Sequence, residues 1–185
     1  NVPVERGTIS GNILGTLNSN NGLYGTNANI AGHLNNGFNF NAYGTYKSSA
    51  DYQNAADGKV FNSRFNEKNF GGYIGINKSW GYSHLLISNF NQQIGIVEGA
   101  RDILTGRFLV NAETPFSHIA SIAELDSRDM VTPYQHVTHF KIASDNNFEL
   151  GTGRMSVNIG YQENQRRELG DLLHPNTPSL HFNLQ

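Results

Sequence analysis

Six side chains have the type and placement to hold a ligand: Arg101, Arg107, Arg154, Gln162, Asn164 and Arg166. An arginine presents a planar fork of donors that fits carboxylates and other oxygen anions. Gln and Asn add both donors and acceptors. Four of the six lie in one run, where Arg154, Ser156, Asn158, Gly160, Gln162 and Asn164 alternate with Met155, Val157, Ile159 and Tyr161. A strand sends successive side chains to opposite faces, so these polar groups share one face and the apolar ones the other. Ligand contact fits this polar row. So do solvation of a wet wall and ladders with neighbouring strands. Arg101 and Arg107 lie in the irregular segment 96–133, with Arg128 and the acids Glu98, Asp102, Glu113, Glu124, Asp126 and Asp129. Capture of a ligand or surface partner is one reading of these charges, and a solvated loop is the other.

Other chemistries find no footing. His136 and His139 are three apart, which on a strand puts them on opposite faces and prevents joint chelation. The chain has no cysteine, which excludes disulfides and thiolate sites. There is no nucleophile elbow, no phosphate-cradling glycine loop and no helix carrying a zinc-binding histidine pair. The expectation is therefore a protein without catalytic residues, metal or cofactor, and not an enzyme. A net charge of −2 gives no bulk attraction to nucleic acid, which is not expected as a partner.

The elements that must position the six residues are strands. Of the 185 residues, only 15% are charged, against about 25% in an average soluble protein. Asn (25) and Gly (20) take their place, giving uncharged polarity and close backbone approach. Apolar runs such as Leu85-Leu86-Ile87 are far short of the ~20 residues that span a bilayer as a helix. Alternation predicts strands at 2–18, 23–34, 38–53, 67–79, 82–95 and 134–144, then from Gly151 to about Arg166, and again through Leu180, Phe182 and Leu184. The facing of 82–95 is ambiguous, because Tyr82, Leu86 and Phe90 oppose Leu85 and Ile87. In 96–133, Ser117 is placed to cap a short helix with Ile119, Ile122 and Ala123 on one face. Asp145-Asn146-Asn147 reads as a turn.

Connection lengths alternate. Those at 34–37, 79–82 and 145–150 are short; those at 54–66, 96–133 and 167–178 are long. An antiparallel up-and-down meander puts the short turns on one rim and the long loops on the other, as outer-membrane barrels do. The short connection at 18–22 breaks the rule. The expected fold is all-β: about eight long strands in one domain over 1–185, forming an open section of a transmembrane β-barrel. Tyr46, Trp80, Tyr82, Tyr134, Tyr161 and Phe182 are candidates for interfacial aromatic girdles.

Three segments carry a resemblance to a known family: Gly95-Ile96-Val97-Glu98-Gly99-Ala100-Arg101-Asp102, Thr132-Pro133-Tyr134-Gln135-His136-Val137-Thr138-His139, and Gly160-Tyr161-Gln162-Glu163-Asn164-Gln165-Arg166-Arg167-Glu168-Leu169-Gly170-Asp171. Together with the strand pattern, the chain resembles the barrel of TonB-dependent outer-membrane receptors. The resemblance implies a 22-stranded barrel in the outer membrane of a Gram-negative bacterium, lipid around it, and import of a scarce ligand. A ferric siderophore is the leading expectation beside haem, cobalamin and glycans. It also implies a plug that contacts TonB. Asn1–Arg6 has no apolar signal-peptide core, no plug is visible, and the chain stops in the run Leu180, Phe182, Leu184, so a section from within the barrel is expected. A complete small outer-membrane barrel and a structural or adhesive β-protein are the alternatives.

Overall fold

The computed structural model describes residues 5–170 and 181–184. In chain order the elements are β1 (Thr8–Asn18), β2 (Leu23–His33), β3 (Phe38–Ser49), β4 (Gln53–Asn54), β5 (Gly58–Lys59), β6 (Phe65–Lys78), β7 (Gly81–Gly95), β8 (Leu109–Val110), β9 (His118–Ile119), α1 (Ile122–Asp126), β10 (Tyr134–Leu150), β11 (Gly153–Leu169) and β12 (His181–Leu184). No helix among the described residues is long and apolar enough to cross a membrane.

Eight strands form one antiparallel sheet in the order β1-β2-β3-β6-β7-β10-β11-β12. Every neighbour is the next long strand in the chain, so the sheet is a meander. No ladder joins β1 to β12 among the described residues, and these two are its edges. Strands of 11–17 residues pair along nearly their whole length. The fold is therefore all-β and antiparallel, as expected.

Glycine is built into the pairing. Among its strand positions, Gly32, Gly71 and Gly75 lie beneath aromatic rings of a neighbouring strand. A Cβ on Gly71 would stand 2.6 Å from Tyr43 Oη, and one on Gly75 would stand 2.1 Å from the His84 ring. Phe40 covers Gly32 in the same manner. Asn supplies cross-strand side-chain bonds, such as Asn27 Nδ2 to Thr45 Oγ1 at 2.7 Å.

Among the described residues, the compact apolar core lies outside the sheet. Val60, Phe108 and Ala120 are buried together, with Phe61, Val110 and Leu125 packed against them. This core belongs to a cap made by residues 50–64 and 96–133. Within it β4 pairs with β5 and β8 with β9, and α1 completes the layer.

Several expectations are corrected. The helix is capped by Ser121, not Ser117. Ser121 and Glu124 form a reciprocal capping box, whereas Ile119 pairs with Leu109 in a ladder. Asp145-Asn146-Asn147 is strand, because Asn147 Nδ2 bonds Ser156 Oγ at 2.8 Å and Asn146 Nδ2 bonds Val157 O at 3.1 Å. The turn sits five residues later, where Gly151 adopts φ 65°. Segment 96–133 holds β8, β9 and α1. The strand expected over 38–53 stops at Ser49, where Asp51 turns inward. The expected strand over 2–18 begins at Thr8, and its residues 2–4, like the segment 171–180 and the Phe182 side chain, lie outside the described residues.

Candidate functional site

Paired residues in adjacent strands point to the same side, so the register assigns both faces. One face carries Ile9, Ile13 and Leu17 on β1, Tyr24 and Ile30 on β2, and Phe38, Phe40 and Tyr46 on β3. It continues with Phe70, Ile74 and Ile76 on β6, Leu85 and Ile87 on β7, Phe140, Ile142 and Phe148 on β10, and Met155, Val157, Ile159 and Tyr161 on β11. The ambiguity of β7 is resolved: Leu85 and Ile87 join this face, and Tyr82, Leu86 and Phe90 take the other. Much of the face is bare. Leu17 is 86% exposed, Ile13 81% and Ile159 69%.

The apolar band slopes across the ladder. The register carries Leu17 through Tyr24, Ser48, Asn66, Gln93 and His136 to Arg167. On β11, however, the band tops out at Tyr161, six residues below Arg167. Six residues over six strand steps is one residue per strand. With about 3.3 Å per residue and 4.8 Å between strands, that slope is about 35°. Tyr24, Tyr46 and Tyr161 follow the upper border, with the Tyr24 and Tyr46 rings 6.0 Å apart. Trp80 stacks on Phe148 at 5.6 Å at the lower border. Of the other girdle candidates, Tyr82 lies on the polar face and Tyr134 beyond the band.

The opposite face is polar. Glu67, nearly buried, accepts from Lys47 at 3.1 Å, Asn69 at 2.7 Å and Gln92 at 3.2 Å. Tyr82, His84 and Tyr73 form a ring ladder, with His84 4.8 Å from Tyr82 and 5.8 Å from Tyr73. A hollow of about 240 Å³ lies beside them, between Tyr43, Tyr73, Leu86, Ser88 and Lys141. His136 and His139 fall on opposite faces, as their spacing requires.

The six candidate residues are not brought together. Arg154, Gln162, Asn164 and Arg166 share the polar face of β11. Twelve residues separate Arg154 from Arg166, about 40 Å of strand. Arg154 pairs with Glu149 at 2.7 Å beside the Leu150–Gly153 turn. Arg166 pairs with Glu168 at 3.0 Å near the opposite end. Asn164 Nδ2 lies 3.5 Å from His139 Nδ1, and Gln162 stands opposite Lys141. The other two arginines hold the cap together. Arg101 reaches Asp57 at 2.6 Å and covers the Phe108 ring at 4.0 Å. Arg107 donates to Ala120 O at 3.1 Å.

Sequence reasoning missed the residues that anchor the cap. Arg64 bonds Asp51 through two nitrogens, at 3.1 and 2.6 Å. Its Nη2 also donates to Glu124 O at 2.7 Å and its Nη1 to Asp129 O at 3.2 Å. Asn62 donates to Ile96 O at 3.0 Å and Pro133 O at 2.7 Å, closing the neck of 96–133. Arg128 donates to Gly22 O and covers the Tyr24 ring at 4.9 Å. Asn20 exchanges bonds with Gln53. The short 18–22 connection is thus absorbed into the cap, which accounts for its exception to the length rule. A cavity of about 420 Å³ lies within the cap, with Asn62, Glu98, Phe108 and Val131 in its wall. Its chemistry is mixed: the carboxylate of Glu98 and the amide of Asn62 beside apolar rings.

At the far side of the cap, His118 links β9 to α1. Its Nδ1 is 3.0 Å from Phe116 O and its Nε2 2.8 Å from Glu124 Oε1. The Phe116 carbonyl, then Glu124, raise the His118 pKa above its ordinary value. For Glu124, partial burial pushes upward, but the Ser121 N–H, the His118 ring and the Ser121 hydroxyl outweigh it and bring the carboxyl down to about 2. Asp102 is also lowered, by the hydroxyl and then the N–H of Thr105.

Among the described residues, no three of His, Cys, Asp and Glu cluster as a metal site. Comparison of the chain with protein-family models, curated proteins and solved structures finds no match.

Proposed function

We propose that this chain is a section of outer-membrane β-barrel wall from a TonB-dependent importer, with lipid against the apolar face and a water-filled lumen against the polar one. The sloping band carries the reading. A soluble sheet has no reason to leave so many large apolar side chains bare in one strip. A strip about 35° off the strand perpendicular is what a bilayer requires of strands tilted by 35–45°. The polar surface of such a wall needs Asn, Gln, Ser and paired charges, and the opposite face has them. The tyrosine and tryptophan borders suit the two headgroup levels.

The cap then stands at the extracellular mouth, where the long loops of such barrels lie. Ferric siderophore import is the ligand class we favour, and it rests on the resemblance of segments 95–102, 132–139 and 160–171. A plug that contacts TonB, and the remaining strands, belong to the same proposal. Arg166, Asn164 and Gln162 would line the lumen below the mouth, with Arg154 near the opposite rim. Arg101 and Arg107 would act on a ligand indirectly, through the shape of the cap.

The chain lacks cysteine, so a cysteine introduced into it, in a protein cleared of any other, gives one label. Spin labels at residues 155–161, in the protein inserted into lipid, should alternate: oxygen-accessible at odd positions and accessible to a water-soluble nickel complex at even ones. Uniform access to the nickel complex would rule out the membrane reading. Uptake of an iron-55-labelled catecholate or hydroxamate complex by cells expressing the receptor tests the ligand class separately.

A further inference from the structure

We infer that His118 is a proton-held latch on the cap: as an imidazolium it fastens α1 to the β8–β9 hairpin, and losing its proton frees 96–133 to loosen from 50–64. The argument is one of valence. A backbone carbonyl accepts and never donates, and Phe116 O lies 3.0 Å from Nδ1. The Glu124 carboxylate, 2.8 Å from Nε2, is also an acceptor. Its Oε2 accepts from Ser121 N at 2.8 Å and Ser121 Oγ at 2.7 Å, bonds that favour the ionised carboxylate and leave Oε1 without a proton to offer. A neutral imidazole has one N–H and could satisfy one of the two partners. Only the doubly protonated ring satisfies both.

The latch acts beyond its own bonds because Glu124 is gripped twice. Its side chain holds His118, and its backbone oxygen accepts from Arg64 Nη2 at 2.7 Å. Arg64 in turn is locked on Asp51. The chain His118–Glu124–Arg64–Asp51 thus ties the hairpin, α1 and the 50–64 segment together, around the core of Val60, Phe108 and Ala120. The neighbouring charges are engaged elsewhere. Arg107 is on Ala120 O, and Asp126 is paired with Lys59 at the end of α1. Glu124 is the charged group that bonds the ring. The latch is closed below the ordinary histidine value of 6.5 and opens as pH rises through the higher value in the folded cap. This inference stands on the cap alone and does not depend on the membrane reading.

The test uses the intact, folded protein with nitrogen-15-labelled histidine. Both His118 ring nitrogens should carry protons at pH 6.5, with the neutral form emerging only at higher pH. A single neutral tautomer at pH 6.5 would overturn the latch. Amide exchange at 121–125, corrected for intrinsic rates, should show opening rise about three- to tenfold between pH 6 and 9, the scale of one half-exposed charge-assisted bond. In His118→Gln that rise should vanish; an unchanged rise there would also overturn it. Glu124→Gln retains the capping box but removes the charge, and should lower the His118 titration midpoint. If His118→Gln fails to order the cap, this midpoint decides, and no change in it counts against the latch.

Discussion

Arg64 and Asp51 form a bidentate ion pair whose side chains are 1% and 0% exposed, at the junction of the sheet and the cap. Asp51 Oδ1 also accepts from the amides of Ser63 and Arg64, at 2.8 and 3.0 Å. The carboxylate therefore shapes its own loop while its partner reaches across to Glu124 O and Asp129 O. Breaking one side of a buried pair costs about 3–5 kcal/mol, because the other charge stays behind unpaired. Arg64→Ala should release 96–133, read as proteolytic cleavage within 96–133, with the β6–β7 ladder still protected from exchange. Arg64→Lys should do nearly the same, since one ammonium cannot span Asp51, Glu124 O and Asp129 O. Cleavage at the wild-type rate in Arg64→Ala would show that the pair does not hold the cap.

The capping box makes an acid-side prediction. The Glu124 carboxyl ionises at about 2 in the folded cap, against an ordinary value of 4.5. A depressed value contributes stability that is complete above the ordinary value and is lost as pH falls. Protection of the α1 amides should therefore decline between pH 4.5 and about 2. Ser121→Ala removes the cap hydroxyl, which should cost about 0.5–2 kcal/mol. It should also move the decline to higher pH, since the Ser121 hydroxyl is one of the donors that lower the carboxyl, while the backbone N–H at 121 stays. An acid profile unchanged in Ser121→Ala would contradict this.

What the sequence revealed and what it concealed divide along one physical line. Alternation is local, so the long strands and the polar parity of Arg154, Gln162, Asn164 and Arg166 were legible from it. Facing stayed open on β7, where Leu85, Leu86 and Ile87 are consecutive and only the register with β6 and β10 decides. The Asn146 turn failed because Asn in this chain also builds cross-strand bonds, as Asn146 and Asn147 do. Arg64 was illegible because its partners lie 13 residues before it and 60 and 65 residues after it. The capping box was in plain view as Ser121-Ile122-Ala123-Glu124, a stronger signal than Ser117.

Glycines of the apolar face should separate by what stands beside them. A Cβ on Gly72 would lie 2.0 Å from the backbone oxygen of Asn41, whereas one on Gly15 meets nothing within 4 Å. Gly72→Ala must push β3 and β6 apart, which puts its cost in the 1–3 kcal/mol range of overpacking. Gly15→Ala should be neutral or slightly stabilising, since it lowers the freedom of the unfolded chain. Denaturation of both variants in lipid gives the comparison, and equal midpoints would mean that β3 and β6 yield without cost.

Facing on β11 provides the sharpest test of the wall. Ile159 lies mid-band on the apolar face, between Val157 and Tyr161, and Asn158 is its neighbour on the polar face. The register gives Ile159 the partner Ser144 and Asn158 the partner Asp145. An arginine against hydrocarbon at the mid-plane costs about 2–4 kcal/mol, and one facing a lumen much less. An arginine at 158 would moreover meet the Asp145 carboxylate. Ile159→Arg should therefore lower the folding free energy in lipid by about 2–4 kcal/mol while Asn158→Arg stays near wild type. The slope of the band adds a control. Arg167 already lies on the apolar face, six residues above Tyr161 and outside the band, so Gln165→Arg on that same face should be tolerated. Equal losses at 158, 159 and 165 would mean that the apolar face does not meet lipid. A loss at 165 matching that at 159 would mean that the band does not end at Tyr161.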